Sequence, residues 1–162
     1  MKKLLLSILS VLALSTAFSQ DLPNTVIKDM NGSQLNFNET HQAGKVTVYS
    51  FWATWCVPCK QEINNIKTKL EGWKKEADFD FIAISIDDAR YLTQIKTYTK
   101  AKGWTFPVYH DANGDLKQSL NFQDIPFAMI VDKDGKIVYR HPGYQEGGED
   151  QLFEEIKKYA KK

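Results

Sequence analysis

The sequence predicts an α/β domain in which helices flank a central mixed sheet. Three observations carry this expectation. Apolar, β-branched and aromatic runs alternate with helical periodicity along the middle of the chain, which implies parallel strands joined by crossover helices. The run "KVTVYSFWA" (45–53) is apolar at nearly every position, as a strand buried on both faces requires. Towards the C-terminus, two strand-like runs are parted only by Lys133-Asp134-Gly135, a hairpin turn that adds antiparallel pairing.

In chain order, Thr25–Lys28 and Gln34–Phe37 form an N-terminal β-hairpin about Asn31-Gly32. The buried strand 45–53 follows. From Cys56 to about Lys75, Ile63, Ile66, Leu70 and Trp73 recur at spacings of three and four between lysines and glutamates, a helical stripe. "FDFIAISI" (79–86) is a second apolar strand. "DARYLTQIKTYTKAKGW" (88–104) is a helix with Tyr91, Ile95 and Tyr98 on one stripe and Gly103 as its stop. "FPVYH" (106–110) is a short strand and "GDLKQSLNF" (114–122) a short helix. "FAMIVD" (127–132) and "KIVYR" (136–140) make the closing hairpin. "GEDQLFEEIKKYAKK" (148–162) ends the chain as an amphipathic helix, its acids early and its lysines late, complementing the helix dipole.

The chain has 162 residues, enough for one domain, with 43% hydrophobic and 12% aromatic residues, a globular composition. Its 21 basic and 20 acidic residues leave no charge footprint for nucleic acid. The first 19 residues read differently. Lys2 and Lys3 precede a nearly uncharged run from Leu4 to Phe18, which as a helix reaches about 22 Å against a hydrocarbon core of about 30 Å. Ala17 and Ser19 place small residues at −3 and −1 of a cleavage before Gln20. Residues 1–19 are therefore expected to be a secretory signal peptide, the alternative being an uncleaved anchor, and residues 20–162 the folded domain. No cysteine lies near the cleavage, so no lipid-attachment signal is present. The mature protein is expected outside the cytosol, in the periplasm or secreted, where a disulfide persists.

Cys56 and Cys59, the two cysteines of the chain, stand in "FWATWCVPCK". As a staple the pair is poorly placed, because closing so short a loop gives less than about 2 kcal/mol. Zinc needs more ligands than this motif offers, and His41, His110 and His141 all lie far from it in sequence; a copper site of two thiolates and one histidine stays open. A redox pair explains the spacing. At a strand-to-helix junction, first-turn amides and the helix dipole favour a thiolate at Cys56, and a residue three further on is within disulfide reach. Pro58 fits because proline is tolerated in a helix's first turn. Trp52 and Trp55 frame the thiols or are plain core aromatics, and Lys60 adds positive charge or is a solvated surface lysine.

A second feature is "QDIPFAMIVD". Ile125-Pro126 immediately precedes a strand, and a cis bond there passes the backbone of Ile125 close to the sulfurs, offering main-chain bonding groups to a peptide. A trans proline simply ending the loop is the alternative.

These residues resemble a known family. "FWATWCVPC", "DIPFAMIVDKDGKIV" and Gly143 are similar to the TlpA/ResA-type thioredoxin-like thiol–disulfide oxidoreductases of bacterial envelopes. "LPNTVIKDMNGSQLNF" and "GKVTVYSFWATWC" resemble that family's hairpin and first central strand, and "WTFPVYHDANGDLKQSL" resembles the βα insertion that separates it from plain thioredoxin. The resemblance covers about residues 22–160. It implies a thioredoxin-like fold, with Cys56 as attacking thiolate, Cys59 as resolving thiol and a cis Pro126. There are three departures. Thioredoxin has a buried carboxylate where this sequence has Ser50. ResA-like proteins carry an acid after the second central strand, where "ISIDDAR" supplies Asp87 and Asp88. Asp88 aligns better and is expected either to help deprotonate Cys59 or to cap the next helix. Phe127 replaces the family's usual threonine, which is expected to make the substrate groove more apolar, alongside Trp55 and Ile125.

The expected activity is reduction of disulfides in client proteins by dithiol exchange. The resemblance implies clients such as apocytochrome c, in cytochrome c maturation, or copper-handling proteins, with electrons from a membrane donor protein and no cofactor beyond the Cys56–Cys59 disulfide. A disulfide-introducing oxidant and a copper carrier are the alternatives. Val57 between the cysteines, where a histidine would stabilise the reduced form, favours the reductant.

Overall fold

The structure is a computed structural model that describes residues 20–161. The expected signal peptide lies outside the described residues. Among those residues no helix is long and apolar enough to cross a membrane.

The alternation read from the sequence builds one eight-stranded mixed sheet. Its strands are β1 (Gln20–Asp21), β2 (Val26–Lys28), β3 (Gln34–Asn36), β4 (Val46–Trp52), β5 (Phe79–Ser85), β6 (Val108–His110), β7 (Phe127–Val131) and β8 (Lys136–Pro142). They lie in the order β1-β8-β7-β4-β5-β6-β2-β3. β4 is central and buried throughout, parallel to β5 and antiparallel to β7. The helices are α1 (Val57–Glu76), α2 (Leu92–Ala101), α3 (Asp115–Ser119) and α4 (Gly148–Tyr159).

Strand alternation sorts the core into two layers. Val46, Val48 and Trp52 of β4 face Ile63, Ile66 and Leu70 of α1, Ile95 of α2 and Leu152 and Ile156 of α4. Tyr49 and Phe51 face the other way, against Phe37, Leu116, Leu120, Phe122 and Phe127. Ser50 falls on the α1 side of the sheet, at the level of Ala83 and Ala128 on the neighbouring strands.

Three details differ from the expectation. The N-terminal turn spans Asp29–Ser33 because the Asp29 carboxylate accepts from the amides of Asn31 and Ser33, both at 2.8 Å, widening the loop around Gly32. The hairpin also joins the main sheet, Lys28 pairing opposite His110. The helix expected from residue 88 begins with a short 3-10 turn, Ala89–Tyr91, before α2 proper.

Candidate active site

β4 ends at Trp52 in the middle of the sheet, and the chain turns through Ala53–Trp55 into α1. Cys56 is the N-cap of that helix: its backbone is extended, and its Sγ accepts from the Cys59 amide at 3.3 Å. Its own amide donates to Ala53 O at 3.0 Å, which closes the turn. Pro58 is in the first turn, where its missing N–H costs nothing. Cys56 and Cys59 are joined in a disulfide, Cα to Cα 5.4 Å. Cys59 is wholly buried, whereas Cys56 keeps 5% of its surface exposed. Trp55 and Val57 on either side are exposed, at 65% and 68%. Of the two cysteines, only Cys56 keeps any exposure, and Cys59 lies a turn further along the helix.

The Ile125–Pro126 bond is cis. Pro126 is buried, and its carbonyl accepts from the Gly143 amide at 2.7 Å. Ile125 and Trp55, expected on the substrate groove, line a common cavity of about 400 Å³ with Ile86, Gly114, Lys117, Gln123 and Asp124. Phe127 does not join them. Its ring stacks on Phe122 at 4.4 Å and packs on Phe51, in the core layer on the far side of the sheet. Strand alternation turns Phe127 away from α1, and it lines a neighbouring cavity of about 350 Å³ with Gln123, Asp124, Pro142 and Gly143. Trp52 is likewise a core residue, packed against Tyr98 and Trp104. Lys60 is not a free surface lysine, since its Nζ donates to Thr54 O at 2.8 Å and lies 5.5 Å from the Tyr98 ring centre.

The carboxyls rearrange the expected roles. Asp88 faces solvent, accepts from the amide and Nε of Arg90 at 3.0 and 2.9 Å, and caps the 3-10 turn. Those bonds hold its carboxyl below the ordinary range. Of the two roles weighed for Asp88, the structure shows the cap; a proton acceptor for buried Cys59 needs a buried position that Asp88 lacks. Glu62, which the sequence reading missed, has that position. It lies on α1 three residues after Cys59, with no exposed surface. Burial pushes its carboxyl up to about 8; the Ser50 hydroxyl works against the rise and the Glu149 charge adds to it. Neither of its oxygens meets a hydrogen-bond partner in good geometry. The signal was present in the sequence: an acid adjoining the apolar stripe of Ile63, Ile66, Leu70 and Trp73.

Each histidine has a partner other than the cysteines. His41 bonds Thr47, His110 bonds the Asp87 carbonyl and His141 lies beside Tyr139. Among the described residues no three His, Cys, Asp or Glu side chains gather as a metal-holding group.

A nearly buried N-cap cysteine, disulfide-bonded to a wholly buried partner three residues on, with a buried acid one helical turn further along α1, makes a disulfide centre at the strand-to-helix junction. Residues 18–156 match the Redoxin family. The chain belongs to that family. The ResA thiol–disulfide oxidoreductase of Bacillus thuringiensis subsp. konkukian is 29% identical over 143 residues, 88% of this chain and 76% of the relative. A thioredoxin-like protein from Porphyromonas gingivalis superposes with a TM-score of 0.76 at 37% identity, covering 86% of this chain and 91% of that one. StoA from Bacillus subtilis shares the fold, with a TM-score of 0.61 at 21% identity over 82% of this chain and 97% of that one. The redoxin fold here is thioredoxin-like, as the sequence resemblance implied.

Proposed function

We propose that this redoxin reduces disulfides in client proteins of the cell envelope, with Cys56 attacking and Cys59 resolving. That the chain is a thiol–disulfide oxidoreductase follows from the family and the ResA relatives together with the paired cysteines. The observation that carries the mechanism is the placement of Cys56 at the N-cap, where a sulfur already accepts a helix amide.

In the reduced enzyme the same amide and the helix dipole stabilise a Cys56 thiolate. The thiolate attacks one sulfur of a client disulfide; that S–S bond breaks, a new one forms to Cys56, and the client's second sulfur leaves as thiolate. Cys59 then gives its proton to Glu62 in its ionised form, the minority form at pH 7 because burial raises the carboxyl to about 8, and attacks the Cys56 sulfur. The client's other thiolate leaves and both client sulfurs take up protons. Two electrons have passed to the client, and Cys56–Cys59 is oxidised. A membrane donor protein returns the dithiol state. Support for the envelope setting comes from residues 1–19 of the sequence, which read as a secretory signal peptide.

Insulin reduction tests the reading. Cys56→Ser abolishes turnover, and Cys59→Ser accumulates mixed disulfides with client proteins. Full activity in Cys56→Ser overturns the mechanism.

A further inference from the structure

Asp87 lies just past β5, 1% exposed, and both of its carboxylate oxygens are engaged. Oδ1 accepts from Thr54 Oγ1 at 2.7 Å. Oδ2 accepts from the Thr54 amide at 2.8 Å and from Ser85 Oγ at 2.7 Å. Its main chain is fixed too: the amide donates to Ser85 Oγ at 3.1 Å, and the carbonyl accepts from His110 Nε2 at 2.7 Å. The carboxylate is thus held by Ser85 at the end of β5 and by Thr54 in the turn after β4, while His110 at the end of β6 holds the Asp87 main chain.

What it holds is the turn that delivers Cys56. Beyond Trp52 the β4 ladder ends, and the Thr54 amide needs an acceptor that the sheet no longer supplies. Asp87 supplies it and also takes the Thr54 hydroxyl. The Thr54 carbonyl is held from α1 by Lys60, and the Ala53 carbonyl by the amide of Cys56. A buried carboxylate satisfied by neutral donors is a poor device for stability alone, since an apolar pair of similar volume serves as well or better. It is a good device for fixing a position, because its bonds are short, directional and shared by one residue.

We propose that Asp87 is a positioning residue for the attacking cysteine: acting through Thr54, it fixes the turn on which Cys56 is presented to a client disulfide, while bonding to neither sulfur. The inference rests on Cys56 being the attacking sulfur. Attack runs along the axis of the bond being broken, so a turn free to drift loses rate even when the thiolate is fully formed.

The test uses the reduced mature chain and oxidised glutathione as the probe disulfide, with second-order rates measured at one pH for Asp87→Asn, Thr54→Val, Thr54→Ser and the Asp87→Asn/Thr54→Val double variant. Each of the first two slows the reaction roughly tenfold. The double variant is no slower than the slower single, because both cut one link. Thr54→Ser restores the hydroxyl and recovers the rate. A role confined to stability lowers the melting temperature of Thr54→Val and leaves its rate unchanged, which overturns the proposal, as do losses that multiply in the double variant. If Asp87→Asn does not fold, the Thr54 pair decides alone. Iodoacetamide labelling with peptide mapping separates the two readings: label on Cys59 in place of Cys56 overturns the attacking role itself, whereas label on Cys56 with unchanged rates overturns only the part given to Asp87.

Discussion

Glu62 stands one turn below Cys59 on α1, and neither residue has exposed surface. Ser50, across from them on the α1 side of β4, is buried as well. Where thioredoxin draws a buried carboxylate from the strand, this chain takes its acid from the helix and puts a hydroxyl on the strand. The exchange keeps an ionisable group beside the resolving cysteine while fixing it to the same rigid element as the sulfur it serves.

Replacing Glu62 by Gln keeps the volume and removes the proton acceptor. Attack by Cys56 on a small disulfide is expected to stay near the wild-type rate at pH 7. Release of the mixed disulfide by Cys59 is expected to slow by about a hundredfold, the lower range of general-base contributions. Acid-quenched single turnovers resolve the two steps. Equal slowing of both would show that Glu62 acts on the whole site rather than on Cys59.

The same residue makes stability depend on pH. Its folded carboxyl titrates at about 8, above the 4.5 of an ordinary glutamate, so between those values the folded protein holds a proton that the unfolded chain has lost. Stability from this source is fully present below pH 4.5 and declines as pH rises towards 8; by pH 7 the decline amounts to roughly 3 kcal/mol. The oxidised wild type should therefore melt progressively lower from pH 5 to pH 8 relative to Glu62→Gln. Parallel melting curves for the two proteins over that range would rule out a raised acid at this position.

Much of this site could be read before the fold was known, and the reason differs residue by residue. Cys56 and Cys59 were legible because a strand-to-helix junction leaves few uses for a cysteine pair; the cis Pro126 was legible only through the family resemblance, since its own residues left cis and trans open. Glu62 was hidden by its type: a glutamate in a lysine- and glutamate-rich helix reads as solvated unless its place beside the apolar stripe of Ile63 and Ile66 is weighed. Asp88 proved to be the cap, one of the two roles expected of it, and the inward-facing acid is its neighbour Asp87 for a local reason. Two adjacent acids after a strand point in different directions, and Ser85 and Thr54, which select Asp87 for the interior, are brought to it by the parallel β4–β5 pairing. Phe127 follows Pro126 on the opposite face of β7, so it meets the cavity beside the one that Trp55 and Ile125 share.

Trp55 is a different kind of residue, a large ring left in water beside the reactive sulfur. Because it is exposed, Trp55→Ala should leave the melting temperature within a degree or two of wild type. Its loss should raise KM for a protein client about tenfold while reaction with oxidised glutathione is unchanged, as befits an aromatic anchor at a docking surface. A matching loss with both substrates would place Trp55 in the chemistry instead.

The reduction potential decides the direction of electron flow, and the site's charges set an expectation for it. A dithiol becomes an oxidant when its reduced form is stabilised; the span from about −270 to −120 mV in related folds corresponds to roughly 7 kcal/mol of such stabilisation. Here the Cys56 thiolate gains the helix N-terminus, which contributes about 2 kcal/mol at most. Val57 between the cysteines donates no hydrogen bond from its side chain, and the Lys60 ammonium is already engaged with Thr54 O. Glu62 adds no positive charge. The pair is therefore expected to equilibrate nearer to about −270 mV than to −120 mV in glutathione and dithiothreitol buffers, read by the mass shift on alkylation. A potential close to −120 mV would mean that a source of thiolate stabilisation absent from these contacts operates in the reduced state, and that the enzyme introduces disulfides instead of removing them.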